Sequence, residues 1–552
     1  RSMIRREQIL PPYTRRIDDL RHRIVQLVGI ASVVLLAVLF GFVIALFGMY
    51  GWFIYAIPLV LLALLALWMA PDVDTDVDRL MTKLYFLFAA VLLIWPSYIA
   101  LNLPGLPWIS LQRISVFLLA GVALYAYSTS ERLRHELGDI LASHVLLSRL
   151  FLCWVVWHAL MVAVGKMAAA SRFADMLFMR YLFLLVTAWV VTRPGKAQQL
   201  LTLILVAAFI TSAVVIPEYF NQQPIWIPHI PSFLSLSDEV LESLYNTVLR
   251  AGQYRAHSIF MEALSYAEYL GMLFPFCMLA IAWAKTPLHR ILAIALLVLM
   301  MTAGVLTQTR SAYLAIYSTV PAFLGIWIWR RYRLLAGKRD MVAPAMISLY
   351  PAALLTLVMA ALFVGRVRTR LLGDGSQSAS DAARGDQWAL ALPKVMKNPF
   401  GYGVGTVREN VPYFLPGGKW TIDSYPINLL IEYGIPGFLL FFSFFLIIIA
   451  VGVKVYVGAV GRDEQVAGAA AVGLVSFLMT RLILSADGSL ELAFGYAGII
   501  FGLWFVQKQR LARQEQQPAS SVSALPEDAA GHLREGNGDS HPERGWRRKE
   551  PV

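Results

Sequence analysis

Asn398-Pro399-Phe400-Gly401-Tyr402-Gly403-Val404-Gly405 lies within Gly365 to Gly437, the longest polar interruption of an otherwise very hydrophobic chain. The same stretch holds Asp423-Ser424-Tyr425 and ends in Ile427-Asn428-Leu429-Leu430-Ile431-Glu432-Tyr433-Gly434-Ile435-Pro436-Gly437. It also carries eight basic residues: Arg366, Arg368, Arg370, Arg384, Lys394, Lys397, Arg408 and Lys419. The fold is decided by what surrounds it. Apolar residues make up 58% of the chain and charged residues 15%, and the mean hydropathy is +0.62. A soluble domain is about 45–50% apolar and about 25% charged. A spanning helix needs about 20 apolar residues, and the chain offers about fourteen such runs. The expected fold is an all-α polytopic membrane protein, a scaffold holding one large loop.

Expected spans run near residues 24–46, 52–70, 84–101, 111–127, 145–164, 179–191 and 200–216. They continue near 259–283, 291–306, 313–328, 343–364, 428–451, 466–484 and 490–506. Arg15, Arg16, Arg21 and Arg23 flank the first span and place the N-terminus in the cytoplasm by the positive-inside rule. Alternation then puts Arg132, Arg134, Arg193, Lys196, Lys285, Arg290 and the Arg330–Arg339 cluster inside. It leaves two larger external loops, at about 217–258 and 365–424. Residues 1–23 read as a cytoplasmic tail, 24–506 as the transmembrane domain and 507–552 as a disordered, polar cytoplasmic tail. No cleavable signal peptide is evident.

Composition also narrows function. The net charge of +12 sits largely in span flanks and tails, and no recognition module accompanies it, so a nucleic-acid partner is not expected. Cys153 and Cys277 both fall in apolar runs and read as buried small hydrophobes, with no metal-ligand spacing. Asp72, Asp74, Asp76 and Asp78 alternate, but the glycine and distal glutamate of a calcium loop are missing, so a solvated cytoplasmic loop is the better reading. No metal or cofactor is expected. The chain lacks matched, broken helices in corresponding halves, which argues against a repeat-built transporter.

The large external loop is the exception to the positive-inside rule. Long loops translocate regardless of charge, which explains tolerance but not enrichment. A basic cradle for phosphate or acidic sugar accounts for both. Arg310, in Thr307-Gln308-Thr309-Arg310-Ser311, sits in a very short external turn, where arginine either snorkels or presents a planar fork to phosphate. Arg255, in Tyr254-Arg255-Ala256-His257-Ser258, is external too. Three separated segments thus deliver arginines to one face. His257 at a span mouth is more often structural than catalytic. Glu262 lies in the next apolar run, where an acid is a functional hypothesis; pairing with Arg255 is the simpler alternative. Gly401, Gly403 and Gly405 read as a glycine-rich turn or as a phosphate nest.

Four of these stretches, over about Arg255 to Gly437, resemble the O-antigen ligase and polymerase superfamily of bacterial inner-membrane glycosyltransferases. Arg255 to Glu262 resembles the family's arginine before a loop-closing span. Thr307–Ser311 resembles its short turn, with Thr309 where serine is usual. Arg384 to Gly405, with Trp388 and Pro399, resembles its arginine-tryptophan-proline-glycine segment. Asp423 to Gly437 resembles its His-Asn-x-x-Leu…Glu-x-Gly-x-x-Gly segment. The N-terminal half matches only in being hydrophobic. Counting back from Glu432, Asp423 stands where ligases carry a histidine, and Ser424 where an asparagine follows. That departure favours polymerisation.

The resemblance implies a GT-C-like architecture and a metal-independent glycosyl transfer on the periplasmic face of the inner membrane. The donor would be an oligosaccharide on undecaprenyl pyrophosphate, and the partners membrane lipids, a flippase and a chain-length regulator. It implies Arg255, Arg310 and Arg384 for the pyrophosphate, and Asp423, with Glu262 in reserve, for the acceptor's proton. Arg408, Trp388, Gly403 and His257 would face the glycan or shape the loop. Alternatives are a ligase passing glycan to lipid A core or protein, and a lipid-linked sugar flippase.

Overall fold

The computed structural model describes residues 77–516 apart from 102–108, 167–168, 232–233, 235, 237–239, 241–248, 251–252, 336–340, 364–377, 415–417, 419 and 485–487. The first two expected spans, both tails beyond these limits, Arg366, Arg368, Arg370, Lys419, Asp72, Asp74 and Asp76 lie outside the described residues. The described chain is an all-α polytopic membrane protein. Nine of its helices are long and apolar enough to cross a membrane.

The order begins with α1 (Asp78–Ile94), α2 (Leu111–Thr129), α3 (Glu131–Ser143), α4 (Val145–Val164) and α5 (Ala169–Met176). A π-helical turn (Leu177–Leu182) joins α5 to α6 (Phe183–Val190). Then come α7 (Lys196–Asn221), α8 (Ala263–Trp283), α9 (Pro287–Leu306), α10 (Arg310–Leu335) and α11 (Val342–Phe363). The large loop contributes α12 (Ser378–Lys397), α13 (Val407–Asn410) and α14 (Tyr425–Glu432). The chain closes with α15 (Gly434–Val457), α16 (Arg462–Arg481) and α17 (Leu490–Gln516). Strand is confined, among the described residues, to two short hairpins, Ala100–Leu101 with Ile109–Ser110 and Leu249–Arg250 with Gln253–Tyr254.

Local chemistry sets several boundaries. Ser110 and Ser130 cap α2 and α3 by accepting the amides of Arg113 and Leu133. Thr286 caps α9, with Pro287 as its first residue. Such side chains satisfy amides that the first turn leaves open. The expected span at 84–101 stops at Ile94, ahead of Pro96, and the expected span at 428–451 is split. α14 ends at Glu432, Gly434 takes a left-handed φ of 66° and α15 starts there. Asn428 therefore belongs to the loop, not to a span.

α16 packs against α8, α10, α15 and α17. Ala467, Ala469, Ala470 and Ala471 on it are fully buried, and small residues let backbones approach where the surrounding solvent is apolar. Glu268 of α8 and Arg481 of α16 pair at 2.9 Å inside this packing, both with no exposed surface. At the end of the bundle away from the loop, Arg193 binds Glu136 at 2.6 Å and Asp78 at 3.2 Å. Burial raises the Glu136 carboxyl's affinity for its proton, but bonds from Arg193, Trp189 and Arg132 outweigh it and leave its pKa below the usual range.

Two expectations are corrected here. Cys277 is buried, but Cys153 is exposed on the outward face of α4. The last helix continues to Gln516, past the expected start of the tail at residue 507, because Arg510 binds Glu464 at 2.9 Å and the Gly458 carbonyl at 3.0 Å.

Candidate functional site at the loop end of the bundle

The large loop folds on its own small core. On α12, Ala383, Gln387, Ala391 and Val395 are buried at four-residue spacing, one helical stripe. Ala391 and Val395 pack with Val407, Val411, Ile422, Ile427 and Ile431. Trp388 stands on the other side of α12, with Leu392 and Met396 following it on an exposed apolar stripe.

The glycine ladder anchors this unit to the bundle. The amides of Tyr402 and Gly403 donate to the carbonyls of Ile431 and Glu432, and that of Val404 to Met161 of α4. The Gly405 amide donates to Glu432 Oε1 at 2.8 Å. Protein acceptors occupy these amides, so the ladder is a docking turn, not a phosphate nest. Gly403 has φ 90°, and a Cβ there would lie 2.5 Å from the Gly165 nitrogen.

Arg255 and Arg310 arrive on neighbouring segments. The Ala256 amide donates to the Leu306 carbonyl at 3.2 Å, and Arg255 Nε reaches the Thr307 carbonyl at 3.5 Å. In the turn, the Thr307 and Thr309 hydroxyls lie 2.8 Å apart, and Thr309 Oγ1 also accepts from the Ala312 amide. Arg310 opens α10, half-buried. Arg384 and Asp423 lie on neighbouring segments, α12 and the stretch ahead of α14. Gln387, one turn beyond Arg384 on α12, accepts the Asp423 amide at 3.0 Å, and Thr421 donates its hydroxyl to Asp423 Oδ1 at 3.1 Å. Two residues on, the Tyr425 ring lies 5.1 Å from the Arg481 guanidinium, which joins α14 to the Glu268–Arg481 pair.

His257 is buried. Its Nδ1 lies 2.6 Å from the Phe260 carbonyl, so that nitrogen carries the proton. Burial pushes its pKa down to about 4. Glu218, at the end of α7 and fully buried, accepts the amides of His257 and Ser258 and the Tyr254 hydroxyl. The apolar-run position of Glu262 proves to be an exposed helix start. It borders a cavity of about 420 Å³ that also meets Arg113 and Asp175. Among the described residues, the fully buried acids of the apolar helices are Glu268 and Glu218, neither of which carries a local motif that would single it out.

A larger cavity, about 650 Å³, opens between the loop and α4, α5 and the π-helical turn. Arg408 borders it, and so do Lys166, Arg172 and Arg180, three basic residues that no sequence motif marks. Arg180 pairs with Glu491 at 2.9 Å, and Glu491 also lines the smaller cavity. Among the described residues no three His, Cys, Asp or Glu side chains gather as a metal-ligating set.

Residues 295–442 match a family model described as O-Antigen ligase. The matched segment spans α9 to the start of α15 and includes Arg310, Arg384, Trp388, Gly403, Arg408 and Asp423. Arg255, His257 and Glu262 lie outside it. No curated protein matches the chain.

Proposed function

We propose that this chain, whose residues 295–442 match a family model described as O-Antigen ligase, is a glycosyltransferase that polymerises oligosaccharide repeat units carried on undecaprenyl pyrophosphate. The work would take place at the periplasmic face of the inner membrane, within a transmembrane domain spanning 24–506. The observation that carries the reading is the meeting of Arg255 with the Thr307–Arg310 turn, at the same end of the bundle as α12 and α14 with Arg384 and Asp423.

An acceptor hydroxyl attacks the anomeric carbon, the C–O bond to the lipid pyrophosphate breaks, and the bonding pair leaves with the pyrophosphate oxygen. Arg255, Arg310 and Arg384 stabilise that growing charge. Removing one such donor costs about 10²–10³-fold in rate. Asp423 takes the proton from the attacking hydroxyl. Its bond from Thr421 and the backbone tie to Gln387 orient the carboxylate without enclosing it. Arg408, Trp388 and His257 are assigned to the glycan or the loop that bears it, and Gly403 to the loop's attachment.

The test is glycan chain length in reconstituted membranes given purified lipid-linked repeat units alone. A ladder that disappears in Arg310→Ala, and in Asp423→Asn with the protein still inserted, supports the polymerase. Transfer only when lipid A core or a protein acceptor is added replaces it with the ligase. Passage of the units across the bilayer without transfer overturns the enzyme reading in favour of a flippase.

A further inference from the structure

We infer that the cavity of about 650 Å³ between the loop and α4, α5 and the π-helical turn is a binding site for an acidic sugar residue of the glycan being extended. The inference rests on the proposed function for which glycan is meant. The anion-binding chemistry rests on the cavity itself.

The volume falls within the about 300–1,000 Å³ usual for ligand sites. Lys166, Arg172 and Arg408 are exposed at its edge, on two segments, the stretch entering α5 and α13. Their charges are only partly balanced by protein. Lys166 pairs with Glu409, and Arg180 with Glu491. Glu432 also lines the cavity, and Arg172 and Arg408 lie in no salt bridge among the described residues, so four cations face three carboxylates and the mouth keeps a net positive charge beside low-dielectric walls, which focus its field. Two guanidinium forks suit a planar carboxylate.

The walls favour a sugar over simple phosphate. Trp154, Tyr433, Tyr425 and Phe441 form a continuous aromatic surface behind the basic edge. Tyr433 is fixed by its hydroxyl to His158 Nε2 at 3.1 Å and by its carbonyl to Trp157 Nε1 at 2.8 Å. Asn428 Oδ1 is buried on this wall with no hydrogen-bond partner among the described residues. A buried acceptor left open costs about 1–3 kcal/mol, and a sugar hydroxyl would satisfy it. A pyrophosphate would use the arginines but leave the aromatic wall and the Asn428 oxygen without contacts. Tyr425 and Asn428 belong to α14, whose first residue follows Asp423 and Ser424. A sugar held here is therefore next to the proposed transfer point.

The full chain in phosphatidylcholine nanodiscs is titrated with tetragalacturonate, with neutral maltotetraose as the comparison. Trp154 and Trp420 line the cavity and report binding by fluorescence. We expect saturable quenching by tetragalacturonate, at least tenfold weaker with maltotetraose and in Arg172→Gln/Arg408→Gln. Asn428→Leu, which keeps every charge, should weaken binding several-fold and carries the test if the double variant does not fold. Equal binding of both sugars, or unchanged affinity in both folded variants, overturns the proposal. So does displacement of tetragalacturonate by equimolar inorganic pyrophosphate, or by phosphatidylglycerol in the nanodisc, because the site would then belong to the leaving group or to a lipid. Arg310→Ala should lose the glycan ladder and keep tetragalacturonate binding. Variant-sensitive binding with no ladder from the unaltered protein would sink the polymerase and leave this site standing.

Discussion

Glu218 Oε1 accepts the His257 amide at 2.8 Å, and Oε2 of the same carboxylate accepts the Ser258 amide at 2.9 Å. With the Tyr254 hydroxyl as third donor, one fully buried side chain holds both flanks of Arg255. Ser258 takes a left-handed φ of 53° to turn its amide inward, and its hydroxyl donates to the Thr211 carbonyl on α7. The segment bearing Arg255 is thus fixed to α7 rather than free in a loop. Glu218→Ala leaves three buried donors without an acceptor, each costing about 1–3 kcal/mol. Transfer should fall at least tenfold in Glu218→Ala and by much less in Glu218→Gln, which keeps one acceptor oxygen. Turnover measured beside the melting temperature in detergent checks this; equal activity of both variants contradicts it.

His257 gives the fold a pH dependence of known sign. Its folded pKa of about 4 lies below the about 6.5 of an unfolded histidine. Between these values the unfolded chain binds the additional proton at this residue, so the His257 contribution to stability rises with pH across that window. The contribution is complete above about pH 6.5 and is lost as pH falls toward 4. His257→Gln should flatten this part of the melting-temperature profile. An unchanged profile would mean that the imidazole is not neutral in the fold.

Every expected span from residue 84 onward contains helix, because a run of apolar side chains needs no partner to be read, but the one near 84–101 stops at Ile94 and the one near 428–451 breaks at Gly434, where Pro96 and a left-handed glycine override the apolar run. The site is less legible, since its residues are chosen by contacts between distant segments. Glu262 reads as an acid in an apolar run, yet it lies just ahead of the first turn of α8, while Glu268 is the one whose neighbours bury it. Only the approach of Arg481, from α16, makes that distinction. The glycine ladder reads equally as nest or turn until the Ile431, Glu432 and Met161 acceptors are known. Arg172 and Arg180 sit among apolar residues on a stretch with a π-helical turn, with no local motif to mark them.

The Glu268–Arg481 pair should behave as one unit. Removing one partner of a buried pair costs about 3–5 kcal/mol, because the other charge is left uncompensated, whereas replacing both with apolar groups is often neutral. Glu268→Ala and Arg481→Leu should each lower the melting temperature steeply, and Glu268→Leu/Arg481→Leu should recover much of the loss. Additive losses in the double variant would show that the two charges do not interact. Tyr425 lies over Arg481, so the single variants should also disturb α14 and reduce transfer.

Gly403 tests whether the loop's docking matters as much as its charges. At φ 90° an alanine is strained, and its Cβ would meet the Gly165 nitrogen and Cα at 2.5 and 2.6 Å, where neither backbone can yield without parting the ladder from α4. Gly418 has nearly the same backbone, φ 81°, and a Cβ there would meet nothing within 4 Å among the described residues. Gly418→Ala therefore reports the cost of the backbone conformation alone, of order 1 kcal/mol. Gly403→Ala should cost clearly more and should abolish both glycan transfer and tetragalacturonate binding, because Val404 and Gly405 line the cavity. Limited proteolysis should then cut between Lys394 and Arg408 faster in Gly403→Ala than in Gly418→Ala. Equal melting temperatures and equal cutting in the two variants would show that contact with α4 does not hold the loop in place.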